Sequence, residues 1–448
     1  MSGVPVYRGH FGARQAERLL WRAGFGPRPG EARRLASKGL RKAVHSLTRP
    51  SRAKLHGPAP TDGAGNPIAP YDAYGHDVLW WLDRMLRTNQ PHVERMALIW
   101  HDWFATGDVG SQKLGVRQKV TLRTQALGSF KQLFGEVTID PAMLIWLSGN
   151  ENSKYAPNEN YGREMMELFS LGVSNNSGYP YSEDDVREQA RALTGWTNDW
   201  DDTIGYTNFR FDPDLHDGGT KTIFGKTGRF GWRDSVELCI EHPAHAPYFV
   251  ERLWSYFVPP RPSARTRSAL VHLYKSSGHR IRPVVEAILM HPSLYEGEAM
   301  VKSPVVFIVG LLKARGRGID TDAWVWISDL AGQQLFDPPN VAGWDETRWL
   351  DTSTLRGRWT AVTEIVRAEE LDPGRYDHTA EGPRAAVDRA LRYWGGPTIT
   401  KTTRAQLERF GRRVENAIDA DWKDGYYRGL RQNALRMLVA TAPDLETC

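Results

Sequence analysis

Asp77–Arg87 reads DVLWWLDRMLR, and His92–Phe104 reads HVERMALIWHDWF. In both stretches large apolar residues return at helical spacing, so the two read as a helical pair. Upstream, Arg14–Ala23 has Ala16, Leu19, Leu20 and Ala23 at the same spacing and ends at Gly24-Phe25-Gly26-Pro27, a helix stop. Glu31–Leu47 reads as a second short helix. Residues 48–75, rich in Pro, Gly and Ala, read as a loop.

Downstream the helical pattern continues through Val116–Phe134, Asp140–Leu147, Glu159–Leu171 and Glu183–Leu193. Ser182 is a good N-cap for the last of these, with Asp185 as its capping-box carboxylate. Residues 195–232 change character to Gly, Asp, Thr and aromatics, a polar insertion with one hairpin. Helices resume from Asp234 to Met290 and again over Lys302–Ala314 and Thr321–Leu330. Residues 331–360 form a second irregular stretch, and about 360–448 is charged and helical. The expected architecture is a mostly α, single multi-helix unit over 1–448, with two loop-rich insertions and a small hairpin.

The chain has 448 residues, 40% hydrophobic and 25% charged, an ordinary globular composition. Its 58 basic and 53 acidic residues leave a net charge of +5, too slight a bias to indicate nucleic acid. Cys239 and Cys448 are its two cysteines, and no CxxC motif is present, which excludes a thiolate zinc site. No run of 18 apolar residues predicts a membrane span. The N-terminus lacks the apolar core of a secretory signal, so the chain as written reads as cytoplasmic. Seventeen Trp, 16 Tyr and 15 Phe have two readings: packing anchors in the core, or stacking platforms for sugar rings.

Four segments carry candidate chemistry. In Asn158–Leu168, Asn160, Glu164 and Glu167 share one helical stripe, while Glu159, Arg163 and Glu167 share the adjacent one. Glu164 and Glu167 are candidates for acid–base work or metal ligation, with Arg163 tuning them. Helix capping by Asn158 or Asn160 with a buried Arg–Glu network is the structural alternative. In Trp100–Phe104, His101 is a packed core histidine unless it faces Glu164 or Glu167. The glycine-rich run Phe211–Lys221 offers His216 as base or ligand, Asp217 as acid or ligand and Lys221 as an anion clamp; a turn rich in Asp and Gly is the alternative. Around Pro338–Trp349, Asn340 and Trp344 read as parts of a rigid surface loop. Trp344 and Trp196 are candidates to contact a substrate, as are Asn158, Asn160 and Lys221. GxGxxG, GxxxxGK[ST], HExxH, GxSxG and EF-hand signatures are absent.

Six ordered motifs carry a family resemblance: LLWRAGFG (19–26), WHDWFAT (100–106), PNENYGREMMELFSLGV (157–173), YSEDDVREQARALTGW (181–196), FDPDLHDGGTKTIFG (211–225) and FDPPNVAGWDETRWL (336–350). By these the chain resembles the domain of unknown function 1800 family from near residue 14 to its end. The resemblance implies no reaction. Many relatives look exported and sit beside a phosphatase- or sulfatase-like partner, the domain of unknown function 1501 family. Trp103 stands where many relatives carry a second histidine, which weakens a His-x-His metal pair at 101–103.

The leading expectation is a hydrolase or related acid–base enzyme on a polar, saccharide-like small molecule or glycan. Glu164 leads it, with Glu167, Arg163, His101, His216 and Asp217. One alternative uses His101, Glu164, Glu167, His216 and Asp217 to hold a divalent metal such as Zn, Mn or Fe. Another is a non-catalytic interaction or scaffold protein in which the same motifs are buried polar networks.

Overall fold

A computed structural model describes residues 3–173, 180–376, 381–417 and 426–448. Parts of the charged C-terminal region, 377–380 and 418–425, lie outside the described residues. The described chain is mostly helical, with two antiparallel hairpins, Trp196–Asp201 with Gly205–Phe211 and Lys221–Ile223 with Lys226–Gly228. The polar insertion therefore holds two hairpins where the sequence suggested one.

Two further readings are corrected. Val116–Phe134 is not continuous: Gln112–Thr124 ends, and a new helix, Phe130–Thr138, starts at Ser129, whose side chain caps Gln132 N. The irregular stretch after 331 ends at Asp351, which accepts from Thr354 N and starts the Thr352–Ala368 helix. The box at Ser182 forms: Asp185 N donates to Ser182 Oγ at 3.2 Å, and Ser182 N donates back to Asp185 Oδ2 at 2.8 Å. Among the described residues, no helix is long and apolar enough to cross a membrane.

The hydrophobic interior has two large clusters. One draws on helices between residues 13 and 48 and between 91 and 295. The other is built from His76–Arg87, Pro304–Arg315, Ala323–Leu330 and the C-terminal helices. The Pro91–Trp103 helix belongs to both. Met96, Ile99, Trp100 and Trp103 enter the first cluster, while Ala97 and Leu98 enter the second. A helix with core on opposite faces is apolar nearly all round. That is why the few charges it carries mark something other than solvent exposure.

Trp81, Trp100, Trp103, Trp254 and Trp324 are fully buried, so the packing reading holds for these five. Trp103 sits among Trp100, Phe130 and Phe249 and donates its indole N–H to Phe169 O at 3.0 Å.

Candidate functional site

The residues singled out from sequence fall into three separate networks. The first caps and pins the Glu159–Met166 helix. Asn158 accepts from Asn160 N at 2.9 Å and donates its own backbone N–H to Asn152 Oδ1 at 2.8 Å. Arg163 pairs with Glu183 at 2.7 Å and with Glu159 at 3.4 Å. The half-buried Glu164 carboxyl is pushed up, first by desolvation and then by the neighbouring Glu167. Glu167 accepts from Tyr181 Oη at 3.5 Å, where the helix widens into a π turn, Glu167–Leu171.

The second network ties the glycine-rich loop to the end of Glu183–Ala192. Arg191 grips Asp217 at 2.7 Å, and its guanidinium holds that carboxyl below the usual range. His216 Nδ1 lies 2.9 Å from Thr194 O, and the ring packs on Phe211. Lys221 is buried, with Nζ donating to the carbonyls of Asp217 and Gly219. Its charge supports the loop from inside and does not project outward as a clamp. Trp196 packs edge-on to Phe211 and Trp232.

Along this helix pair the acidic part of the first network and the loop of the second sit at opposite ends. Arg163 meets Glu183 and Arg187 meets Glu159, so the helices run antiparallel. The Asn158 end lies beside Arg187–Arg191 and the loop. Glu164 and Glu167 lie about one to two turns further along, toward Tyr181, at 1.5 Å per residue. No hydrogen bond or ion pair joins Glu164 or Glu167 to His216 or Asp217 among the described residues. The proposed metal set is corrected on the same ground: no group of three or more His, Cys, Asp or Glu among the described residues is placed to hold an ion. Asp217 is spent on Arg191, and His101 is buried elsewhere.

The third network brings His101 and Trp344 together, and it borders a polar cavity that sequence reasoning missed. His101 is fully buried in an aromatic cage of Trp81, Phe336 and Trp344, and burial holds its ring well below its ordinary pKa. Its neighbour Asp102 accepts Trp344 N–H at 2.8 Å on one oxygen and the Tyr256 hydroxyl on the other. Consecutive residues of one helix thus fasten the 333–349 loop.

Above Asp102 lies a cavity of about 240 Å³. Arg95, Leu98, Ile99 and Asp102 line it from one helix, Arg252 and Tyr256 from a second, and Trp344, Glu346 and Trp349 from the loop. Arg252 stacks on Trp103 at 4.5 Å and donates to Leu168 O and toward the Asp102 and Trp103 carbonyls, which braces the π turn against this wall. The Asp102 carboxyl is raised by burial, against the pull of Arg252. Glu346, on an exposed stretch of the loop, is also raised, first by partial desolvation and then by Asp102 and Asp345, against the pull of Arg95. It has no hydrogen-bond or ion-pair partner among the described residues. The signal was present in HVERMALIWHDWF: Arg95, Leu98 or Ile99, and Asp102 fall at i, i+3 or i+4, and i+7, a charged stripe on a helix buried on its other faces.

Fold and cavity define a class: a multi-helix α protein with a polar cleft where its two apolar cores meet. The chain belongs to the family described as "Protein of unknown function (DUF1800)", whose model matches residues 18–445. No curated protein and no solved structure matches it.

Proposed function

We propose that the chain is an acid–base enzyme acting on a polar small molecule or saccharide-like substrate, with the cavity over Asp102 as its active site. The observation that carries this reading is convergence. Asp102, Tyr256, Glu346, Trp344 and Trp349, from three distant parts of the chain, border one open cavity. Structural carboxylates are spent on partners, as Asp217 is on Arg191. The Glu346 carboxyl is free and raised, the condition a general acid or base needs. Asp102 fixes the position of Trp344 and Tyr256, and the two tryptophans supply faces for a ring.

The Glu164 and His216 segments serve as supports in this reading. The test is turnover against a panel of glycosides and of carboxylic, sulfuric and phosphoric esters. Glu346→Gln is expected to lose on the order of 10²-fold or more in rate. Full activity in Glu346→Gln removes that residue from the chemistry and the reading with it.

A further inference from the structure

Several residues that line the cavity carry hydrogen-bond donors that lack acceptors. Arg95 is 8% exposed. Its guanidinium has no hydrogen-bond or ion-pair partner among the described residues, and its Nε is buried without one. Ser303 Oγ and Trp349 Nε1, on residues lining the same cavity, are buried and unpartnered too. Gln333 uses its Oε1 to accept Val305 N at 3.0 Å, which leaves its amide NH₂ as a further donor.

Other buried arginines leave individual nitrogens unpaired but keep bonded partners. Arg358 meets Glu446 at 2.8 Å and Lys302 O at 2.6 Å. Arg22 is wrapped by the carbonyls of Phe257, Glu298 and Cys448. An unpaired buried cation costs stability, and Arg95 has the unbonded attraction of Asp102 and Glu346 but no bonded partner among the described residues, which leaves a place for an anion. Guanidinium and indole N–H groups donate and cannot accept, so they call for an acceptor; Asp102, Asp345 and Glu346 line the same cavity, but none is bonded to Arg95.

We propose that this cavity binds the oxyanion group of an acidic ligand, a carboxylate, sulfate or phosphate, with Arg95 as its counter-ion and Ser303, Trp349 and Gln333 as further donors. Resting on the acid–base reading, this names the substrate class: a polar molecule carrying one such group. The group's negative charge lies in the same cavity as Glu346 and helps keep that carboxyl protonated, as a general acid requires.

The experiment is calorimetric titration of the full chain at low ionic strength with sodium acetate, sulfate and phosphate, with sodium chloride as control. Saturable binding of at least one oxyanion and none of chloride is expected. Acetate alone points to carboxylic substrates; sulfate or phosphate points to the corresponding esters. Arg95→Gln should lose tenfold or more in affinity, and Trp349→Phe and Ser303→Ala a few-fold each. No oxyanion binding beyond chloride, or equal binding in Arg95→Gln, overturns the proposal. If Arg95→Gln does not fold, unchanged affinity in both other variants overturns it. Oxyanion binding that survives alongside full activity of Glu346→Gln removes only the acid–base reading. An inactive Glu346→Gln with no oxyanion site removes only this one.

Discussion

The Phe336 backbone N–H donates to His101 Nε2 at 3.1 Å, joining a helix to a loop 235 positions later in the chain. Phe336 stands at φ +68°, a left-handed conformation that a bulky residue adopts only when its surroundings impose it. Because Nε2 accepts, the ring proton sits on Nδ1. His101→Leu should leave the Phe336 amide buried and unpaired and cost about 1–3 kcal/mol. His101→Gln, which offers an amide oxygen, should recover part of that. Urea unfolding of both variants is the check. Equal stability of all three proteins would mean the bond does not support the loop.

The helices were legible because apolar spacing survives in one dimension, and the Ser182 box because a cap is a local event. The polar cavity was not. His101 and Asp102 are adjacent in sequence, yet one faces an aromatic cage and the other an open cleft. Which side is which depends on where the 333–349 loop lies. Glu164 and His216 looked like partners because both segments are polar. The antiparallel course of two helices, set by Arg163–Glu183 and Arg187–Glu159, puts them at different ends.

Acid should weaken the fold through its buried histidines. Burial drives His92 down to about 4 and His245 to about 3, and holds His101 well below 6.5. In the unfolded chain each takes up a proton near pH 6.5. Between that value and the folded one the unfolded state binds more protons. Stability therefore falls as pH drops, by about 1.4 kcal/mol per unit for each ring. Asp140, pushed up to about 6 by burial, acts in the opposite direction between pH 6 and its unfolded value near 3.8. Asp102, Glu164 and Glu346, also raised, act with Asp140. His291, held at about 4, and the lowered His242 and His279 add to the three rings, so the histidines prevail from pH 7 to 5. Urea midpoints at pH 7, 6 and 5 should decline in order, and a flat profile would show that these rings are not held neutral.

Removing the open charge should stabilise the protein while disabling the site. Arg95→Leu deletes a guanidinium that has no hydrogen-bond or ion-pair partner among the described residues, on a helix buried in two cores. Replacing a whole buried ion pair by apolar volume is often stabilising by about 1–4 kcal/mol, and removing a charge with no bonded partner acts in the same direction. Thermal unfolding in buffer free of oxyanions should therefore shift upward. A downward shift would indicate that Arg95 is held by a group within the protein.

Gly343 tests whether the loop must sit against Asp102. It lies at φ +93°, and a Cβ there would come within 2.3 Å of Asp102 Oδ1 and 2.7 Å of Asp102 O. Gly343→Ala must then both adopt a strained backbone and push the loop away from the carboxylate that holds Trp344 N. Gly39 has a similar φ, +72°, with nothing within 4 Å of its would-be Cβ. Gly39→Ala, at φ +72° and ψ 159°, thus measures the cost of a positive φ without a clash, about 1–3 kcal/mol. Gly343→Ala should cost about 1–3 kcal/mol more, the usual scale of overpacking. It should also reduce oxyanion affinity and turnover, which Gly39→Ala leaves intact. If the two variants lose the same stability and both keep the site, contact between Asp102 and the loop does not shape the cavity.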